Sequence, residues 1–249
     1  MARIQLTPSP GHMGCSATGI EVFPGDRFGF GVPESIGDAA RPVWFGAVEP
    51  HWNELDDGAW EQVGRLEDEL SYRITMTPLD DHVDLAVEVT NESDRIWEQA
   101  MAFNCFQCGG VPEIADHECL RHWVATDGVL TPLIELPRVF GPRPTIQLYN
   151  VEGAPMAAEV PFVSNFQATP EGVVLEPWMA IRSRDGKRLA VTASQPCLTL
   201  FQNMEYSCIH ASPWMGRLAP GESGQALNRV YFVEASLEDW HARYREELG

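Results

Sequence analysis

The sequence predicts an all-β fold, an antiparallel β-sandwich closed by a short C-terminal helix, and three features predict it. Apolar residues alternate with polar ones at period two through several segments, which puts each apolar set on one face of a strand. Nineteen prolines and 21 glycines are spread along the 249 residues, a punctuation that suits many short strands better than long helices. Only the last segment, 236–248, carries a helical pattern.

Taken in order, residues 1–65 are the least regular part, with brief strand candidates at Gly19–Phe23 and Arg27–Gly31. This part is rich in aromatic residues (Phe23, Phe28, Phe30, Trp44, Phe45, Trp52 and Trp60), expected to cover one end or edge and, where exposed, to offer a stacking surface. Leu70, Tyr72, Ile74 and Met76 alternate along Leu70–Thr77, and Val83, Leu85, Val87 and Val89 along His82–Val89. The polar turn Leu79-Asp80-Asp81-His82 between them makes an antiparallel hairpin. A second polar turn, Thr90-Asn91-Glu92-Ser93-Asp94, leads into an extended run Trp97–Cys108. Val124–Leu133 reads as a hairpin around Asp127-Gly128, a good tight-turn pair, and Trp178–Ala193 as another around Asp185-Gly186. Further strands are expected at Thr145–Val151, Leu198–Met204 and Ala226–Val233. Ser236 with Asp239 three positions on approaches a capping box, and Leu237, Trp240 and Tyr244 then share one helix face. No linker interrupts the series, so residues 1–249 are expected to form one domain.

The formal net charge is −19, from 36 acidic and 17 basic residues. Such a surface repels phosphate backbones and anionic lipid heads, so neither nucleic acid nor membrane is expected as a partner. No stretch approaches the ~18 apolar residues needed to span a bilayer. The N-terminus carries no apolar signal run, and the expected compartment is the cytoplasm, with all six cysteines as reduced, buried thiols. Oligomeric state is not readable from these features.

Three constellations invite chemistry. Cys105-Phe106-Gln107-Cys108 matches C-x-x-C, but no second pair completes a zinc knuckle and the pair ends a strand rather than starting a helix, so packing thiols are expected. Asp116-His117-Glu118-Cys119-Leu120-Arg121-His122 is dense in ligand types. Its histidines are five apart, which sends them to opposite faces of a strand, so a joint metal site requires an irregular loop. The segment Phe201–Trp214 brings Gln202, Asn203, Glu205, Tyr206, His210 and Trp214 together, the directional polar groups and flat aromatic walls that a sugar pocket needs. Glu205 and His210 meet only if the chain turns between them. No G-x-S-x-G elbow, P-loop or G-x-G-x-x-G fingerprint is present.

Two stretches resemble the galactose mutarotase-like supersandwich, the fold of aldose 1-epimerases. One is Val83–Asp94 with the strand Trp97–Cys108 after it, and the other is Cys208-Ile209-His210-Ala211-Ser212-Pro213 followed by Leu218-Ala219-Pro220-Gly221-Glu222. The resemblance implies a supersandwich-like fold and a protein that binds or acts on a sugar in a concave sheet-face pocket. It also places Asn104 where that family has a pocket histidine and His210 where it has a catalytic glutamate. Mutarotation needs a base on the anomeric hydroxyl and an acid at the ring oxygen, and an amide cannot serve as that acid. The resulting expectation is a small-molecule or oligosaccharide ligand. His210 acts as general base with Glu205 as its partner or the acid, Asn104 and Gln107 bind hydroxyls, Trp214 is a stacking wall, and His117, Arg121 and His122 line the mouth. An enzyme of this kind would be a sugar isomerase or epimerase, a lyase or a hydrolase, with no cofactor and no metal. The reading requires Asn104 and His210 to share one hollow. The alternatives are a non-catalytic binding or scaffold domain, and a metal-dependent enzyme using His117, His122 or His210 with a carboxylate.

Overall fold

The computed structural model describes residues 4–139, 143–160 and 167–248. Its strands are β1 (Gln5–Pro8), β2 (Gly14–Thr18), β3 (Phe28–Asp38), β4 (Arg41–Trp44), β5 (His51–Glu54), β6 (Trp60–Leu66), β7 (Leu70–Pro78), β8 (His82–Asn91), β9 (Trp97–Gln107), β10 (His122–Thr126), β11 (Val129–Pro132), β12 (Ile146–Val151), β13 (Val174–Leu175), β14 (Trp178–Arg182), β15 (Arg188–Gln195), β16 (Cys197–Asn203), β17 (Cys208–Leu218) and β18 (Ser223–Glu234). One helix follows, α1 (Leu237–Glu247). The first sheet runs β1-β2-β3-β9-β17-β16-β12-β13, with β4 also on β3, and the second runs β11-β10-β14-β15-β18-β8-β7-β6-β5. Every pairing between these strands is antiparallel except β12 with β13.

The two sheets pack face to face, and period two decides which residues meet between them. On β7 and β8 the alternating Leu70, Ile74, Val83, Leu85 and Val87 point inward and are fully buried. Phe28 of β3 and Phe106 of β9 stack at 5.6 Å, and Phe232 of β18 closes on Phe28 at 4.8 Å, tying the first sheet to the second. Asp127 and Gly128, at φ 50° and 77°, make the left-handed pair that a two-residue turn between β10 and β11 requires. The outer face of the second sheet is covered by α1, where Trp240 meets Trp178 edge-on at 4.5 Å. Ser236 caps α1 by accepting from the Asp239 N–H at 3.0 Å. No helix among the described residues is long and apolar enough to cross a membrane.

The N-terminal part departs from expectation. It holds β1 to β5 and most of β6, while Gly19–Phe23 is a turn whose Phe23 is buried. β3 hides its alternation behind Gly29, Gly31, Pro33 and Gly37 and is buried on both faces. β6 places Gln62 and Gly64 on its inward face, where apolar residues would be expected. The reason is Tyr72 of the neighbouring β7. Its hydroxyl donates to Gln62 Oε1 at 2.8 Å, and its ring fills the space beside Gly64, where a Cβ would lie 2.5 Å from Cε1.

Candidate functional site

β9 divides its side chains between the two faces of the first sheet. Ala102 and Phe106 point between the sheets with Asn104, while Phe103, Cys105 and Gln107 point outward. The ladder sets Gln107 beside Cys208 of β17, which in turn lies beside Asn203 of β16, and it sets His210 beside Phe201. These outward residues floor a cavity of about 710 Å³. Its walls and rim come from Glu34, Trp44, His117, Arg143, Glu205 and Tyr206.

His210 is the most enclosed polar group of the floor, 1% exposed. Its ring stacks on Phe103 at 4.6 Å and meets the edge of Phe201 at 4.8 Å. Nδ1 lies 3.4 Å from the Phe201 carbonyl oxygen, and Nε2 lies 3.5 Å from Glu34 Oε2. Glu34 reaches this position because the β3–β9 register shifts between Gly31 and Ser35. Gly31 leaves the room: a Cβ there would stand 3.2 Å from Glu34 Cγ and 3.4 Å from Cys105 Cβ.

The electrostatics follow from these contacts. Burial pushes the Glu34 carboxyl up, but the hydrogen bond and charge of His210 outweigh it and hold Glu34 below the usual carboxylate range. Burial disfavours the His210 imidazolium, yet the Cys208 sulfur and the Glu34 carboxylate together raise it above its ordinary value. The Cys105 thiol donates to the Cys208 sulfur, which raises Cys105 and lowers Cys208. At the rim, Glu205 accepts from Thr145 Oγ1 at 2.5 Å and from Arg143 Nη2 at 2.8 Å, and both hold its carboxyl below the usual range.

Of the residues given a site role from the sequence, Gln107, His117, Glu205 and His210 line this cavity, as do Trp44, Asn203 and Tyr206, which the sequence offered for their chemistry. Asn104 does not, so the shared hollow required of Asn104 and His210 is absent. As an even-numbered residue of β9, Asn104 faces the second sheet and its Nδ2 donates to Asn228 Oδ1 of β18 at 3.3 Å. His122 is fully buried with Nδ1 2.9 Å from Asp116 Oδ2, away from the mouth it was expected to line. Arg121 spends its guanidinium on the carbonyl oxygens of Glu113, Ile114, Ala115 and Arg182, holding the loop before β10. Trp214 lies four positions along β17 from His210, outside the cavity lining, with Nε1 donating to Gln99 Oε1 at 3.0 Å. Glu205 faces Arg143 and Thr145, and the carboxylate beside His210 is Glu34 instead.

Residues that sequence reasoning left out are Glu34, Arg143 and Phe103, with Cys105 and Cys208 read only as packing thiols. Parity along β9 carried a signal for two of them, because Phe103 and Cys105 must share a face with Gln107. It equally separates the C-x-x-C pair, sending Cys105 to the cavity and Cys108 into the core between the sheets.

No protein-family model matches the chain, and no curated protein does. Solved structures are similar at low identity. A galactose mutarotase related enzyme from Lactobacillus acidophilus is 9% identical with a TM-score of 0.48, over 94% of this chain and 98% of that one. A galactose mutarotase-like protein from Clostridium acetobutylicum is 9% identical with a TM-score of 0.41, over 82% and 78%. An α-galactosidase from Geobacillus stearothermophilus, solved with stachyose, is 12% identical with a TM-score of 0.41, over 94% of this chain and 30% of the larger one. The resemblance to galactose mutarotase-like proteins is one of fold.

Proposed function

We propose that the cavity on the outer face of the first sheet binds a neutral carbohydrate. The observation that carries this reading is the pairing of exposed aromatic faces with hydrogen-bonding groups of both polarities around one hollow. Trp44 and Tyr206 stand at its rim, 50% and 65% exposed. The same cavity is lined by the carboxylates of Glu34 and Glu205, the amides of Gln107 and Asn203, and the Arg143 guanidinium. A sugar ring presents C–H faces that stack on aromatic planes, and each of its hydroxyls both donates and accepts, which such a mixture satisfies. A volume of about 710 Å³ falls within the ordinary range for small-molecule sites. The net charge of −19 opposes an acidic sugar.

The test is calorimetric titration with a panel of neutral mono- and oligosaccharides. At least one is expected to bind, and Trp44→Ala and Tyr206→Ala are each expected to weaken it about tenfold, 1.4 kcal/mol. Both side chains are largely exposed, so the variants retain the fold. Failure of every sugar to bind at millimolar concentration overturns the reading, as does binding that both variants leave unchanged.

A further inference from the structure

The floor of the cavity holds a second arrangement that sugar recognition does not call for. Sγ of Cys105, Sγ of Cys208 and a ring nitrogen of His210 all lie within 4.8 Å of one another, and all three residues are buried. Two antiparallel strands bring them together: Cys208 and His210 sit two apart on the outward face of β17, and Cys105 faces the same way from β9. A tetrahedral zinc ion holds sulfur at about 2.3 Å and imidazole nitrogen at about 2.0–2.1 Å, so its donors stand roughly 3.5 Å apart. Side-chain adjustments of about 1 Å therefore bring the three donors to one ion.

His210 is already oriented as a ligand. Its Nδ1 faces the Phe201 carbonyl at 3.4 Å, the partner that keeps a proton on Nδ1 and leaves the Nε2 lone pair free to coordinate. Nε2 is buried, and its contact with Glu34 is too long to be a tight hydrogen bond. The polar atom facing it is Glu34 Oε2 at 3.5 Å, so a proton on Nε2 serves the pair in the absence of metal, and a cation can take that proton's place. The stack on Phe103 and the edge contact with Phe201 fix the ring plane. Two thiolates and an imidazole are a soft donor set that selects zinc over magnesium or calcium.

We propose that Cys105, Cys208 and His210 hold a zinc ion at the floor of the cavity, with the Glu34 carboxylate on its fourth, cavity-facing side. Glu34 is the donor on the side of the solvent-accessible hollow, so an incoming hydroxyl or carbonyl oxygen reaches the ion by displacing that carboxylate or adding as a fifth ligand. This inference stands apart from the carbohydrate reading, since it concerns the floor and needs no sugar.

The experiment uses the full chain, purified without a metal-binding tag, kept reduced and stripped with a chelator. It is then titrated with zinc chloride against a chromophoric chelator and, in parallel, with cobalt chloride. One equivalent is expected to bind, with cobalt giving a thiolate charge-transfer band in the near ultraviolet and intense visible bands, both abolished by zinc. Cys208→Ser and His210→Gln are expected to weaken binding more than about 100-fold, and Glu34→Gln about 10–100-fold, the range of a supporting residue. Cys15→Ser, a buried thiol on a different strand, is expected to leave binding unchanged. Absence of the charge-transfer band in the unaltered chain overturns the proposal, and this readout stands even if a variant fails to fold. Undiminished binding in both Cys208→Ser and His210→Gln overturns it equally. No carbohydrate is present in any titration, so a negative sugar panel leaves this result untouched.

Discussion

Asp116 illustrates how a single side chain organises a loop and responds to pH. One of its oxygens accepts from the Arg121 N–H at 2.6 Å and faces His122 Nδ1 at 2.9 Å, while its own N–H donates to Ser207 Oγ at 2.8 Å. Burial pushes its carboxyl up, but His122 and the Arg121 amide outweigh that and bring it down from an ordinary 3.8 to about 2. Burial likewise pushes His122 down from 6.5. Both groups therefore bind protons more readily in the unfolded chain, so both contributions are present at neutral pH and fade on acidification. The His122 contribution falls as pH drops below about 6.5, and that of Asp116, on the order of 2 kcal/mol, between about 3.8 and 2. Asp116→Asn is expected to lower stability by that order at neutral pH and to flatten the acid limb, as urea midpoints across the pH range would show. At this scale the candidate site was half legible in the sequence. Gln107, His117, Glu205 and His210 line one cavity, and the last three come from segments where polar residues crowd an otherwise plainly alternating chain. The resemblance assigns Asn104 to the pocket, but the parity of β9 puts it on the opposite face, against Asn228. Glu34 was missed because a register shift, invisible in a single sequence, aims it at His210.

Among the elements, α1 tests how far the outer face of the second sheet depends on its cover. Trp240, 1% exposed, packs on Trp178, Tyr231 and Tyr244. Trp240→Ala is expected to destabilise by about 3–5 kcal/mol through the cavity left behind. Ser236→Ala is expected to remove only the cap, about 1 kcal/mol. Chemical denaturation of the two variants checks the ratio. Both features of α1 were readable in advance, as were the β7–β8, β10–β11 and β14–β15 hairpins, because each joins a clean apolar period to a turn signal. β3 is readable only at its start, within Arg27–Gly31, and β6 not at all, for a physical reason. β3 keeps Phe28, Phe30, Val32 and Ile36 in the core but sets Gly29, Gly31, Pro33 and Gly37 among them, so no polar alternation marks it. β6 holds Gln62 and Gly64 inward, where Tyr72 of the next strand completes them.

For the molecule as a whole, 36 acidic residues against 17 basic ones make self-repulsion a standing opponent of the folded state. Raising sodium chloride from about 10 mM to about 150 mM shortens the screening length from roughly 30 Å to 8 Å. The melting temperature is therefore expected to rise over that range, and a flat or falling curve would show that local ion pairs dominate. A different consequence follows from the pairing of β9 with β17, which joins residues about a hundred positions apart in sequence. In the denatured chain Cys105 and His210 are strangers, so any ligand that engages them together recognises only the native chain. Occupancy at one hundred times the dissociation constant then adds about 2.7 kcal/mol of linkage to folding. Denaturation in the presence of candidate ligands thereby becomes a way to discover what this face holds, even before any reaction is known.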